Sequence, residues 1–171
     1  MDMRVAINIS ALQLHEPGLT SILRGALTDH NVDPSRIELE ITETAALRNA
    51  DAAEAVLQEC RAMGIVVALD DFGTQYASLS YLKKLTVDVI KIDRSFVAGL
   101  PHSIEDAAIV RSVLSLGRSL GRTIVAEGVE RPDQAEWLAA EGCCFAQGYS
   151  LGLPMAVTDF EAWHASRNTL V

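Results

Sequence analysis

The stretch VALDDFGTQYASL, residues 67–79, decides the fold. With Val66 before it, an apolar run of Val67, Ala68 and Leu69 ends in two adjacent carboxylates, Asp70 and Asp71, followed by Phe72 and Gly73. Neighbouring like charges repel, and each needs water or a cation beside it. Either the strand reaches water at Asp70, or something positive sits at its end. Taken alone, Asp-Asp-Phe-Gly also fits an ordinary turn. The runs on either side bear on the choice.

Outward from this stretch, short apolar runs recur: VAINIS (5–10), IELEIT (37–42), IVVALDD (65–71), VDVIKID (87–93), TIVAEGV (123–129) and CFAQGY (144–149). Helical patterns lie between them. Residues 19–29 space Leu19, Ile22, Leu23, Ala26 and Leu27 along one face, and 50–63 stops at Gly64, a C-terminal cap. A short pattern covers 78–85. The pattern over 103–120 opens on Ser103 and Asp106, a capping-box-like pair, and stops at Gly121. The next has Pro132 in its first turn and Gly142 at its end, and a last one covers 157–167. Strict βα alternation predicts a parallel sheet covered by helices. A repeat of about 30 residues suits a βα barrel or a doubly wound sheet. No GxGxxG follows the first strand, which counts against a dinucleotide fold. An eight-unit barrel takes about 250 residues, or about 200 at the low end, so this chain is roughly two units short. The expectation is one α/β domain over residues 1–171, a partial (β/α)8 TIM-type barrel of about six βα units with its N-terminal units missing.

The chain is 49% hydrophobic with mean hydropathy +0.19, enough for a sizeable core. No apolar run reaches the ~18 residues of a membrane span. MDMRVAINIS has no leader layout, its apolar run breaking at Asn8. The expectation is a cytoplasmic protein with no membrane segment. Net charge is −9 and the pI about 4.8, with no basic stripe for DNA or an anionic membrane. Cys60, Cys143 and Cys144 form neither a disulfide framework nor a metal knuckle and are read as reduced, buried small hydrophobes.

Each strand also places a polar residue at or near its C-terminal end: Asn8, Glu40, Asp70 with Asp71, Lys91, Glu127 and Gln147. The strand period of two puts Glu38, Glu40 and Thr42 on one face, Ala6, Asn8 and Ser10 on one face, and Lys91 with Val89 and Asp93. Both faces of a parallel sheet are covered, so these groups point into a barrel or crevice. Burying several carboxylates with one lysine is costly unless they are paired or bind cations. Ligands in such folds gather at the carboxyl ends of strands. Asp, Glu and Asn oxygens suit Mg²⁺ or Mn²⁺. Two such ions can activate water and clamp a phosphoryl oxygen, so the residue types point to metal-assisted phosphoester hydrolysis.

Taken in order, NIS, ELEITET, LDDFGTQYASL, VDVIKIDRSFV, IVAEGVE and CFAQGYSLGLP resemble the EAL-domain family, bacterial cyclic di-GMP phosphodiesterases, over essentially the whole chain. The resemblance implies a modified βα barrel that hydrolyses cyclic di-GMP to linear pGpG with two Mg²⁺ or Mn²⁺ ions. It implies that Asn8, Glu40 and Asp70 are metal ligands, Asp70 bridging the ions, that Asp71 holds the second ion, and that Glu127 binds the second ion or its water. It makes Lys91 the group that orients or helps activate the attacking water, and puts Gln147 in an outer shell. Glu43 resembles the glutamate that anchors the loop after the Asp pair, here Gly73 to Ser78. The two aspartates would then tolerate each other because divalent cations lie beside them.

The sequence departs from the family in three places. The Glu-Ala-Leu tripeptide, with its metal-binding glutamate and the arginine close after it, does not occur in these residues; in the family it precedes the segment matching VAINIS. The domain therefore resembles the C-terminal part, about three quarters, of a full EAL domain, short of one metal ligand and with open sheet edges. Gln75 stands where the family loop usually has Gly, which would cost on the order of 1 kcal/mol if that backbone needs positive φ. Leu153 replaces the basic residue usual before Pro154. The expected function is cyclic di-GMP hydrolysis, weak or absent in this chain alone. The alternative is a non-catalytic cyclic di-GMP sensor, or an interaction module forming a homodimer through its open edges.

Overall fold

The computed structural model describes residues 3–74, 82 and 85–168. Six strands, β1 (Val5–Ile9), β2 (Ile37–Thr42), β3 (Val66–Phe72), β4 (Val89–Ile92), β5 (Thr123–Ala126) and β6 (Phe145–Ala146), form one sheet in chain order, each parallel to the next. The described helices are α1 (Ala11–Leu14), α2 (Leu19–Asp29), α3 (Glu43–Leu47), α4 (Ala50–Ala62), α5 (Arg94–Ala98), α6 (Ile104–Leu120), α7 (Pro132–Ala140) and α8 (Val157–Asn168). The expected partial barrel is therefore present, with β1 and β6 as its outer strands.

One face of the sheet packs against the helices. Leu39 and Ile41 of β2, Val67 and Leu69 of β3, and Ile90 and Ile92 of β4 join Leu57 of α4 and Val110 and Leu114 of α6 in one buried cluster. Each such aliphatic side chain contributes about 1.5–3 kcal/mol on burial. The helix ends follow local chemistry. Ser103 Oγ accepts from the Asp106 N–H at 3.2 Å, and Gly121 closes α6 at φ +64°, a left-handed turn that suits glycine.

The register sets the other face. Asn8 pairs with Glu40, Glu40 with Ala68, Ala68 with Val89, Thr42 with Asp70, and Lys91 with Val125. Paired residues in a parallel sheet point the same way, so the polar residues share one concave side.

Some expectations need adjustment. The strand expected over 144–149 is only Phe145–Ala146, although the Gln147 N–H still donates to the Ala126 carbonyl at 2.8 Å. β4 starts at Val89 rather than Val87, although the Asp88 backbone still bonds to Val67 and Thr123; its carboxylate accepts from the Val67 N–H at 3.0 Å and pairs with Arg61 at 2.8 Å. The short helices α1, α3 and α5 have too few residues to register as a period. The helix expected over 78–85 lies outside the described residues apart from Leu82 and Leu85, both buried, and so does Gln75. Cys60 and Cys143 are buried free thiols as expected, but Cys144 is exposed. The outer strands leave Val5 and Ile7 of β1, and Phe145 of β6, at 53%, 39% and 56% exposure.

Candidate metal centre

The site begins with an irregularity in β3. Leu69 pairs with Ile90, but Phe72 pairs with Ile92, so β3 spends one residue more than β4 over this interval. Asp70 and Asp71 sit in the resulting bulge, and Asp71 has φ +54°. A regular strand would send adjacent side chains to opposite faces. The bulge breaks that alternation and lets both aspartates serve one site. Aspartate tolerates the left-handed region better than most residues, which fits its place there. The Asp71 N–H donates to Asp70 Oδ1 at 3.0 Å, and the Asp71 carbonyl accepts from Thr74 Oγ1 at 2.9 Å.

Lys91 stands at the centre. Its Nζ lies 2.5 Å from Glu40 Oε1, 2.7 Å from Glu127 Oε1 and 3.4 Å from Asp70 Oδ1. The side chains are 4% exposed for Lys91, 8% for Glu40, 14% for Asp70 and 17% for Glu127, so the cluster is largely dry. Burial disfavours the ammonium, but the hydrogen bonds and charges of Glu127, Glu40 and Asp70 outweigh it and hold Lys91 above the ordinary lysine range. Burial also lifts the Glu127 carboxyl above the usual range, since Lys91 offsets it only in part and Asp70 adds repulsion. Asp71 is raised as well, by burial first and then by the charges of Asp70 and Asp93.

These directions share one physical cause. Four carboxylates, Glu40, Asp70, Asp71 and Glu127, face a single ammonium, so negative charge is in surplus. Single carboxylate oxygens of Asp70, Asp71 and Glu127 lie within 4.8 Å of one another. Clustered hard oxygens with excess negative charge fit a divalent cation such as Mg²⁺, Mn²⁺ or Ca²⁺.

The remaining residues named from sequence are placed around this core. Glu40 joins it through Lys91. Asn8 stands beside Glu40 in register on the exposed outer strand. Glu43 is 1% exposed, and its Oε2 accepts from the Gly73 N–H at 3.3 Å; its Oε1 has no hydrogen-bond partner among the described residues. Gly73 has φ +96°, and a Cβ there would meet the Phe96 ring at 3.0 Å. Gln147 is exposed, its backbone joined to Ala126 and Val129, one strand beyond Glu127.

The strand period put Asp93 on the Lys91 face without giving it a role; its charge helps to raise Asp71, and it caps α5 by accepting from the Ser95 N–H at 3.0 Å. Its Asp-x-Ser spacing is a recognisable helix start.

Fold and site together define a partial parallel βα barrel with an acidic, cation-seeking rim at the carboxyl ends of its strands. The chain belongs to the EAL domain family, whose model matches residues 1–154. It is 48% identical over 154 residues to the bifunctional diguanylate cyclase/cyclic di-GMP phosphodiesterase MucR of Pseudomonas aeruginosa, covering 90% of this chain and 22% of MucR. Among solved structures it resembles the PaMucR phosphodiesterase in complex with c-di-GMP, with a TM-score of 0.88 and 46% identity, covering 93% of this chain and 64% of that one. It also resembles Klebsiella pneumoniae BlrP1 in its manganese/cy-diGMP complex, with a TM-score of 0.79 and 35% identity over 85% of this chain and 38% of that one. The chain thus spans about a fifth of the length of its curated relative MucR.

Proposed function

We propose that residues 1–171 form a single EAL-type unit that binds cyclic di-GMP with two divalent ions, Mg²⁺ or Mn²⁺, at a site built for its hydrolysis to linear pGpG, with weak or no turnover by this chain alone. The observation that carries this reading is the meeting of Glu40, Asp70, Asp71 and Glu127 around Lys91 in a chain of this family. Relatives that carry the nucleotide, and manganese with it, support the ligand and the metal class. Asn8, Glu40, Asp70, Asp71 and Glu127 would hold the ions, with Asp70, Asp71 and Glu127 the trio whose oxygens already cluster. When bound, the ions supply Lewis acidity, lowering the pKa of a coordinated water and drawing charge from the phosphoryl oxygens.

Lys91 keeps its proton, because its pKa is raised. Its Nζ therefore serves as donor and positive charge toward water or phosphate, and not as the proton acceptor. Its bonds to Glu40 and Glu127 fix both carboxylates in orientation. Burial holds the Glu127 carboxyl above its usual range, offset only in part by Lys91. Glu43 holds Gly73, and through it the aspartate pair, in place. Gln147 stays in an outer layer.

The family's Glu-Ala-Leu glutamate is not among these residues, so we place turnover by this chain alone at weak or nil. Incubating the 171-residue chain with cyclic di-GMP and Mn²⁺, then separating the nucleotides, tests it. The expected result is metal-dependent nucleotide binding with slow or no pGpG. Rapid pGpG formation would overturn the weak-turnover expectation, and absence of any binding would overturn the ligand assignment.

A second reading rests on the apolar surface of the outer strands, where Val5, Ile7 and Phe145 are exposed. On this reading two copies associate through those edges as a homodimer, with cyclic di-GMP sensing rather than turnover as the output. Sedimentation of the chain with and without the nucleotide decides it; a monomer at all concentrations excludes the dimer. None of the described helices is long and apolar enough to cross a membrane.

A further inference from the structure

Lys91 and Glu127 reach each other from different strands, close to where sheet pairing ends. β4 stops at Ile92 and β5 at Ala126. Past that point the Glu127 N–H still donates to the Ile92 carbonyl at 3.1 Å, and the Val129 N–H to the Gln147 carbonyl at 3.0 Å. The loop then crosses α5 with no spare room: a Cβ on Gly128 would lie 2.4 Å from Arg94 Cβ. Two residues further on, the chain meets Gln134.

Gln134 is polar, uncharged and 1% exposed, an expensive residue to bury without partners. Its partners are complete. Oε1 accepts from the backbone N–H groups of Glu130 and Arg131, both at 2.9 Å. Nε2 donates to the carbonyls of Val97 at 2.9 Å and Ala98 at 3.3 Å. The last carbonyls of a helix have no partner within it, so the amide satisfies the end of α5 from outside. Arg131 reinforces the joint through the Ala98 and Leu100 carbonyls. At its other end α5 follows directly from Lys91 and Asp93, and its Phe96 lies against Gly73, next to the aspartate pair.

We propose that Gln134 is a positioning residue for the metal centre: it clamps the loop that carries Glu127 onto α5, and so holds Glu127 in register with Lys91, Asp70 and Asp71. This rests on the metal reading above. A glutamine that merely fills space would leave the site unmoved when replaced by an apolar residue of similar size.

The test uses the whole chain with Gln134→Met and Gln134→Glu. Methionine removes all four bonds. Glutamate keeps the acceptor for Glu130 and Arg131 but loses the donor to Val97 and Ala98. Amide hydrogen exchange in EDTA reads the clamp without metal, and Mn²⁺ titration by calorimetry reads its consequence. In Gln134→Met, exchange at Glu127 and Val129 should rise at least about tenfold beyond any change at Val67 and Leu69, and Mn²⁺ affinity should fall by about 10–100-fold, the range for losing an outer support of a metal site. Gln134→Glu should fall between. A uniform rise in exchange across β3 and the Glu127 loop overturns the proposal, as does unchanged Mn²⁺ affinity in a folded variant. If the unmutated chain takes no Mn²⁺, the metal reading falls and the exchange pattern alone decides the clamp. If Gln134→Met does not fold, Arg131→Met, which loses only the bonds to Ala98 and Leu100 and the ion pair with Asp133, carries the same two measurements.

Discussion

Replacing Lys91 by methionine is the sharpest test of the electrostatics. Methionine keeps the length and apolar stem of lysine and removes only the ammonium. Three carboxylates within 3.4 Å of Nζ then face one another in a pocket where the lysine is 4% exposed. Breaking a buried ion pair by removing one partner costs about 3–5 kcal/mol. Here Glu127 already lies above the ordinary range, and loss of the ammonium raises it further, which relieves part of the repulsion. The expected loss is therefore at the low end, about 3 kcal/mol at pH 8. For a domain of this size that corresponds to about 6–12 °C in Tm. Urea unfolding followed by tryptophan fluorescence in EDTA measures it. The pH dependence has a definite sign. In the unmutated chain the contribution of Lys91 is fully present below the ordinary lysine pKa and is lost only as pH rises through its still higher folded value. It is therefore constant between pH 5 and 8. In the variant, carboxyls with raised pKa bind more protons folded than unfolded, so stability recovers as pH falls toward 5. The deficit should shrink at pH 5, and Mn²⁺ at pH 8 should restore part of it. A deficit under about 1 kcal/mol at pH 8, or one that grows on acidification, would refute the picture of a buried cation holding acids together.

Other outcomes follow from the same geometry. Mn²⁺ should raise the Tm of the EDTA-treated chain, less at pH 5 than at pH 7, because the raised carboxyls of Asp71 and Glu127 must lose protons to ligate; calorimetric titration at the two pH values checks the direction. Asp70→Asn should abolish this stabilisation, since it removes a charge from the closest acidic trio. Gly73→Ala should cost about 1–2 kcal/mol, combining a left-handed φ of +96° with a Cβ 3.0 Å from Phe96, as read by urea unfolding. Burial pushes the Cys60 thiol up to about 11, so in the folded chain it should resist a thiol reagent at pH 8 while exposed Cys144 reacts; rapid labelling of Cys60 would contradict its placement.

Much of this architecture was legible because it rests on period and punctuation. The alternation of short β runs with helical patterns gives the parallel sheet, and IELEIT is a strand over its full length. Glu40, Asp70, Lys91 and Glu127 announced themselves as polar residues ending apolar strands, and they do converge. What stayed hidden depends on contacts between distant segments. Nothing local marks Gln134 as a joint, because its partners Val97 and Ala98 offer only backbone carbonyls, whose positions no side-chain pattern records. Its place as the third residue of α7, after Pro132, reads simply as a helix start. The truncation of β6 was hidden too, since the Gln147 backbone still follows Ala126 after regular strand geometry ends.

The adjacency of Asp70 and Asp71 shows how a sequence oddity becomes a functional geometry. On a regular strand the pair would diverge, one facing the helices and one facing the rim, and the helix-facing charge would be buried among apolar side chains at a cost of several kcal/mol, of order 3 or more. The extra residue that β3 carries between Leu69 and Phe72 removes that conflict. Phe72 returns to the buried side, where it joins the core, and both carboxylates remain with Glu127. The conformational cost of Asp71 at φ +54° is modest for an aspartate. Bringing two like charges together is a larger cost, and the protein's own ammonium offsets only part of it. The bulge is thus worth keeping only if a further positive charge arrives. An Asp71→Gly variant provides the check. Glycine relieves the left-handed backbone and removes one of the repelling charges, so the metal-free chain should gain about 1 kcal/mol in urea unfolding while its Mn²⁺ affinity drops. A variant that loses stability without metal would mean that Asp71 serves the fold rather than a cation.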